Sequence, residues 1–244
     1  MSYFWENPAF RALAGDALRP GGLGLTRKVL SYLRDQAFWH EGGLALDMGC
    51  GTGASLDLLE EAGLSAVGLD LSFSGEKRAG DMSRHRTLIQ ARLEEPPFVS
   101  HCADLVLFEC VLSLLKDPLA ALQAAFRLLK AEGICVLCDL TVRPVLRQAA
   151  SPLQPRQESF SASSSDLSFS CLSGARTVSS WQALLEEAGF YLLRHASFDH
   201  EASRLLARLI WYDLPSPGLC AHGSQKVPRY GYSVFIAARM PSEA

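Results

Sequence analysis

The sequence has no long apolar run. Nothing in it approaches the ~20 consecutive residues that a membrane-spanning helix needs, so no membrane insertion is expected. It has no excess of basic charge either, with 23 Lys+Arg against 26 Asp+Glu and a formal net charge of −3. That balance speaks against nucleic acid or an anionic membrane surface as a partner. Cysteine is sparse: seven scattered residues, an odd number, in a chain of 244. A small disulfide framework is thereby excluded, and reduced thiols in a cytoplasmic setting are the expectation. The six histidines show no metal-ligand spacing, so no metal is expected. Residues 1–20 carry Glu6 and Asp16 and no apolar block, unlike a secretory signal. There is no internal repeat.

What is present is enough apolar material, 48% of the residues, to bury a sizeable core. The length suits one large domain, with or without a small appendage. A helix is expected over 26–38, after the Gly-rich break Pro20-Gly21-Gly22-Leu23-Gly24. Then comes the short apolar run Leu44-Ala45-Leu46, closed by Asp47 and a Gly-rich turn, which reads as a buried parallel strand. Leu56, Leu58 and Leu59 mark a helix that Gly63 ends. A second strand follows over 65–71, so 44–71 forms a complete βαβ unit.

The alternation continues. Strands are expected at 87–89 and 103–108, a helix at 118–129, and a buried strand at 134–140 after a break at Gly133. Further on, a helix over 179–188, a strand over 190–194, a helix over 201–211 and a last strand over 232–238 are expected. The pattern defines an α/β fold: a doubly wound, mostly parallel, seven-stranded Rossmann-like sheet with helices on both faces. Residues 1–40 read as a helical cap on a domain over 41–244. Residues 143–176 contain a Ser- and Pro-rich, lid-like loop, and 200–230 an insertion.

The chemistry concentrates in Leu44-Ala-Leu-Asp-Met-Gly-Cys-Gly-Thr-Gly53. Gly49, Gly51 and Gly53 let backbone approach a ligand at the carboxyl edge of the sheet, beside a helix start that favours polar or negative groups. Asp70, ending the next strand, can accept hydrogen bonds from both hydroxyls of a ribose. The segment also satisfies a relaxed dinucleotide fingerprint, Gly49-x-Gly51-x-x-Ala54. Asp47 disfavours an NAD-dependent oxidoreductase, because a buried carboxylate is a poor neighbour for a pyrophosphate; it suits an amino-acid ammonium group. Cys135 and Cys138 have Cys-x-x-Cys spacing, but residues three apart on a strand face opposite sides, so core packing is expected of both. His195 and His200 are expected at the surface, and Glu109 is compatible with a solvated loop.

The run Asp47-Met-Gly-Cys-Gly-Thr-Gly53 resembles the first motif of class I S-adenosylmethionine (SAM) dependent methyltransferases. Val67-Gly-Leu-Asp70-Leu-Ser, Ala103-Asp-Leu-Val-Leu-Phe-Glu-Cys-Val-Leu112 and Leu128-Leu-Lys-Ala-Glu-Gly133 resemble later elements of the same family. The resemblance implies that Asp47 and the loop Gly49, Cys50, Gly51 and Gly53 hold the methionine end of SAM. It implies that Asp70 binds the ribose, that Leu71 packs on adenine, and that the backbone at Phe108 and Glu109 receives the ammonium. Arg92 stands where the family usually has an aspartate that accepts from adenine. Arginine cannot accept, which leaves either backbone near Leu93 with stacking, or a match shifted by a residue or two. A narrower similarity, of Ser170-Cys-Leu-Ser-Gly-Ala175 to arsenite methyltransferases within the ubiquinone/arsenite branch, implies a substrate role for Cys171, with Cys220 as a partner; a further thiol of that family is replaced by Ser55 and Leu56.

The expected reaction is methyl transfer from SAM, leaving S-adenosylhomocysteine, to a small-molecule or thiol-bound acceptor, with Arg19 and Cys171 beside that acceptor. An in-line displacement at an activated methyl needs chiefly positioning and desolvation, and no catalytic acid or base stands out. A catalytically silent SAM-fold interaction protein is the alternative, kept open by Arg92 and by Ser113 where the family places a His or Tyr.

Overall fold

The computed structural model describes residues 17, 19–71, 87–143, 172–211 and 229–239. Its centre is a seven-stranded sheet. In chain order the strands are β1 (Leu44–Met48), β2 (Ser65–Asp70), β3 (Thr87–Gln90), β4 (Ala103–Glu109), β5 (Leu129–Arg143), β6 (Phe190–Ser197) and β7 (Arg229–Arg239). Their spatial order is β3-β2-β1-β4-β5-β7-β6, and only β7 runs antiparallel to its neighbours. The helices are α1 (Gly22–Asp35), α2 (Leu56–Glu61), α3 (Pro118–Leu128), α4 (Val178–Glu187) and α5 (Asp199–Trp211).

The sheet has a core on each face. Leu46, Met48, Val106, Phe108, Cys135 and Leu137 point one way, onto Ala121 and Ala125 of α3 and Trp181 of α4. Ala45, Leu105, Leu107, Val136 and Cys138 point the other way, onto Leu25, Val29 and Leu33 of α1 and Leu56 and Leu59 of α2. Central strands covered on both faces need apolar residues at consecutive positions, which is why residues 44–46 of β1 and 105–108 of β4 read as unbroken hydrophobic runs. Cys135 and Cys138 diverge to opposite cores, as strand geometry requires.

Local signals set the helix starts. Asp117 caps α3 by accepting from the Ala120 N–H at 3.0 Å, with Pro118 in the first turn. Thr177 caps α4 by accepting from the Ser180 N–H at 3.1 Å. The Trp181 indole N–H donates to the Leu140 carbonyl at 3.0 Å, tying α4 to β5.

Several boundaries differ from expectation. The first helix starts at Gly22 and not at 26, because Gly21 supplies the left-handed entry conformation (φ 78°). β5 begins immediately after α3, at Leu129, so Gly133 lies within the strand and not before it. A register shift between Ala103 and Leu105 of β4 absorbs the extra residues. β5 and β7 also run longer, pairing from Ile134↔Ala238 to Arg143↔Arg229. His195 is half-buried, its ring 4.8 Å from that of Phe235, and not a surface residue; His200 is exposed. Most of the 1–40 cap before Arg19, most of the 143–176 lid and the second half of the 200–230 insertion lie outside the described residues, as do Cys171 and Cys220. Among the described residues no helix is long and apolar enough to cross a membrane, and no group of His, Cys, Asp and Glu could hold a metal ion.

Candidate functional site

The strand order reverses direction between β1 and β4, and a doubly wound sheet opens a crevice at such a point, outside the carboxyl ends of its strands. The Gly-rich loop lies on that edge. Gly49 and Cys50 both donate their N–H groups to the Leu69 carbonyl, at 2.7 and 3.0 Å, which folds the loop over the end of β2. Gly49 has φ 86°, and a Cβ there would stand 2.4 Å from Val111 Cγ2, so conformation and space both demand glycine. Gly51 is left-handed (φ 56°) with nothing within 4 Å of a Cβ position: the loop's crest is open. Cys50 packs beneath, its Sγ 2.6 Å from where a Cβ on Gly68 would be. Burial pushes the Cys50 thiol well above its ordinary range, so packing, not reactivity, describes it.

Asp70 ends β2, and its Oδ2 accepts the Gly51 N–H at 2.9 Å. Its carboxylate therefore sits across the open loop crest, and Leu71 beside it is 61% exposed, an apolar side chain held in water. Arg92 is exposed and pairs with Glu94 at 3.3 Å. Leu93 is buried in the core, so its backbone is what it offers to the edge. The Phe108 side chain is also buried, on the face opposite Asp47.

The deepest part of the crevice is charged. Asp47 is 2% exposed and Glu109 8%. Both sit near the ends of neighbouring strands, on the α1 side of the sheet. Glu109 is therefore buried, which excludes the alternative of a solvated loop residue. Its Oε1 accepts from the Thr26 hydroxyl at 2.7 Å and its Oε2 from the Ser55 hydroxyl at 2.8 Å. Arg19 forms an ion pair with Glu109, and its guanidinium also donates to Thr26 Oγ1 at 2.6 Å and Ser55 Oγ at 2.8 Å. Arg19 comes from the segment before α1, Thr26 from α1, Ser55 from the start of α2, and Glu109 from β4. Arg19 and Glu109 are candidates from sequence; Ser55 stands there only in place of a thiol of the arsenite methyltransferases, and no motif marks Thr26.

The charges in this cluster do not cancel. Two carboxylates, Asp47 and Glu109, face one guanidinium. The result is visible in Asp47, whose carboxyl is pushed up from its ordinary value to about 8 by burial first and by the like charge of Glu109 second, with Arg19 opposing. A cationic ligand group beside Asp47 would complete the balance. On the same face Tyr232 is fully buried, donates to the Cys138 carbonyl at 3.3 Å, and is held protonated by burial.

This architecture is a Rossmann-like methyltransferase fold, shared with solved structures. Residues 46–137 match the family model described as a methyltransferase domain, spanning β1 to β5 with the loop, Asp70 and Glu109 inside it. The chain is similar to the demethylmenaquinone methyltransferase of Thermobifida fusca, 27% identical in an alignment of 136 positions that covers 50% of this chain and 57% of that protein. Among solved structures it is similar to phosphoethanolamine N-methyltransferase 2 of Haemonchus contortus bound to SAM (TM-score 0.67, 16% identity, 99% of this chain and 61% of that one). It is also similar to the [4+2]-cyclase SpnF (TM-score 0.62, 15% identity, 90% of this chain and 82% of that one). The chain thus spans about three fifths of the length of the first two, and the structural likenesses show the fold.

Proposed function

We propose that this chain binds SAM in the crevice at β1, β2 and β4 and transfers its methyl group to a small-molecule or thiol-bound acceptor, in the manner of the ubiquinone/arsenite branch. The observation that carries the reading is the buried acid two residues before the Gly-rich loop: Arg19 is already paired with Glu109 and does not keep Asp47 in its ordinary ionised range. The α-ammonium of SAM is a cation that would do so. Asp47 and the backbone of Gly49, Cys50, Gly51 and Gly53 would hold the methionine end, with Phe108 and Glu109 contributing at the end of β4. Asp70 would take the ribose hydroxyls, and exposed Leu71 would find a partner in the adenine ring, with Leu93 backbone and the Arg92 stem flanking it. When bound, SAM supplies a methyl group already activated by its sulfonium. The chain then has to orient the acceptor and exclude water, with Arg19 and Cys171 on the acceptor side.

Calorimetric titration of the full chain with S-adenosylhomocysteine tests the cofactor half. Saturable binding that Asp47→Ala weakens strongly is expected, and no binding to the intact chain refutes the proposal. One observation favours a catalytically silent reading: Glu109 already has a cation from the chain itself. That reading predicts cofactor binding without turnover, so transfer of label from methyl-labelled SAM to any component of a cell extract separates the two.

A further inference from the structure

A second feature of the carboxyl edge is not used by the reading above. Beyond Arg19 lies a cavity of about 480 Å³, within the size range of small-molecule sites. One wall is the start of α1, with Arg19, Gly21 and Gly22. The other is a face of α5, with Glu201, Arg204 and Arg208. Those three residues are spaced three and four apart and so lie on one side of the helix.

Exposed arginines on a helix are ordinarily a solvated face. Here they look across a cavity, and its charge is lopsided. Arg19 is matched by Glu109. Glu201 is matched by Arg204 at 3.6 Å and contacted by His200 at 3.1 Å. Arg208 makes no ion pair among the described residues. Across from it, α1 begins without a side-chain cap and without an acid in its first turn, so the positive end of that helix is unopposed. Among the described residues the cavity therefore carries one cation more than its anions balance, while the crevice beyond it holds the buried acid Asp47. Arg19 divides the two, its guanidinium on Glu109 and its side chain in the cavity wall.

We infer that this cavity is the acceptor subsite and that the acceptor bears an anionic group, a carboxylate or a phosphate, held by Arg208 with Arg204. The inference rests on the proposed methyl transfer for the word acceptor, and on the cavity alone for the anion. The guanidinium fork accepts either oxyanion in a bidentate pair. The reactive end of such a molecule would point past Arg19 toward the end of β4.

The test uses the full chain and an Arg204→Gln/Arg208→Gln double variant. Arg204 is 73% exposed and glutamine is a good helix former, so the fold is retained, which a thermal melt verifies. Succinate and inorganic phosphate are titrated by ligand-observed NMR, with uncharged succinamide as the size-matched control, in the presence and absence of S-adenosylhomocysteine. One or both anions bind and succinamide does not; their relative affinities distinguish carboxylate from phosphate chemistry. The double variant loses about tenfold in anion affinity, keeps its S-adenosylhomocysteine affinity within about twofold, and the anion and S-adenosylhomocysteine bind together. Equal binding of succinamide, or unchanged anion affinity in the variant, overturns the proposal. Competition between anion and S-adenosylhomocysteine also overturns it, because the cavity would then serve the cofactor's own carboxylate. A chain that takes anions through Arg208 but takes no S-adenosylhomocysteine ends the acceptor reading through the failure of the proposed activity, and is recognised by that pattern.

Discussion

Cofactor binding should be coupled to loss of a proton from Asp47. In the free chain that carboxyl is held up to about 8, burial first and Glu109 second. Near neutral pH it is therefore mostly protonated, and an ammonium beside it requires the ionised form. At pH 7, ionising a group of pKa about 8 costs about 1.4 kcal/mol, roughly tenfold in affinity. Each further unit down costs about tenfold again, and the dependence flattens above about pH 8. Binding at pH 7 should release about 0.9 proton. Titration calorimetry with S-adenosylhomocysteine at pH 6, 7 and 8, in buffers of different ionisation heat, reads both the affinity slope and the proton count. The linkage has a second face in stability. The folded pKa is raised above its ordinary 3.8, so between about 4 and 8 the folded chain keeps a proton that the unfolded chain has lost. Stability of the free chain then falls as pH rises through that window, by at most about 1.4 kcal/mol per unit. Asp47→Asn should remove this loss and remove the pH dependence of binding, while binding S-adenosylhomocysteine weakly throughout. Equal heats in both buffers, with a flat affinity from pH 6 to 8, would refute the account of the buried acids.

Three further outcomes follow from the same geometry. Glu109→Gln leaves the 10%-exposed Arg19 guanidinium without its counter-ion; breaking a buried pair costs about 3–5 kcal/mol, read as a drop in thermal midpoint of roughly 10 °C for a chain of this size, and Arg19→Met in the same chain should recover part of it. Asp70→Asn keeps an acceptor for the Gly51 N–H but loses the charge on the ribose-facing oxygens, so S-adenosylhomocysteine affinity should fall about 10- to 100-fold with the thermal midpoint unchanged; an equal fall in both would place Asp70 in structure alone. Gly49→Ala meets both φ 86° and Val111 Cγ2 at 2.4 Å and should destabilise by about 1–3 kcal/mol; Val111→Ala removes the γ-methyls but leaves its Cβ at 2.8 Å and leaves the backbone strain, so denaturant melts of the double variant should show only partial rescue.

The parts of the site that were legible in the sequence are local. Asp47, the Gly loop and Asp70 fall within 24 residues, on one βαβ unit whose period and turn chemistry are short-range signals. The alternation of apolar runs gave the strand order's class for the same reason. What was not legible is the ring of polar groups around Glu109. Thr26 lies 83 residues from it and Ser55 lies 54, and each is an ordinary hydroxyl in a helix or before one. Nothing in either segment says that its hydroxyl will be buried against a carboxylate. The misplaced start of β5 has a similar origin. Gly133 is a sound local stop signal, but Leu129 already pairs with Ala103, and sheet pairing outweighs a single glycine.

The fold by itself leaves the chemistry open, since a [4+2]-cyclase shares it at TM-score 0.62 and one sheet can host unrelated reactions. Charge is the more selective evidence. A chain that merely retained the scaffold would gain by making Asp47 apolar, because a buried acid with no counter-ion is a cost that hydrophobic replacement removes. Here a central strand, LALDM, that is apolar at all its other positions keeps a carboxyl two residues before the Gly loop. The strain is confined to the ligand-free protein: a cation in the crevice would restore the ionised acid, and its ion pair would form in a site already lined with fixed donors to Glu109. Should Asp47→Leu raise thermal stability while abolishing S-adenosylhomocysteine binding, the acid is there for the ligand. If the substitution lowers stability by several kcal/mol, the acid is instead a structural partner of Arg19, and the charge argument for the cofactor falls.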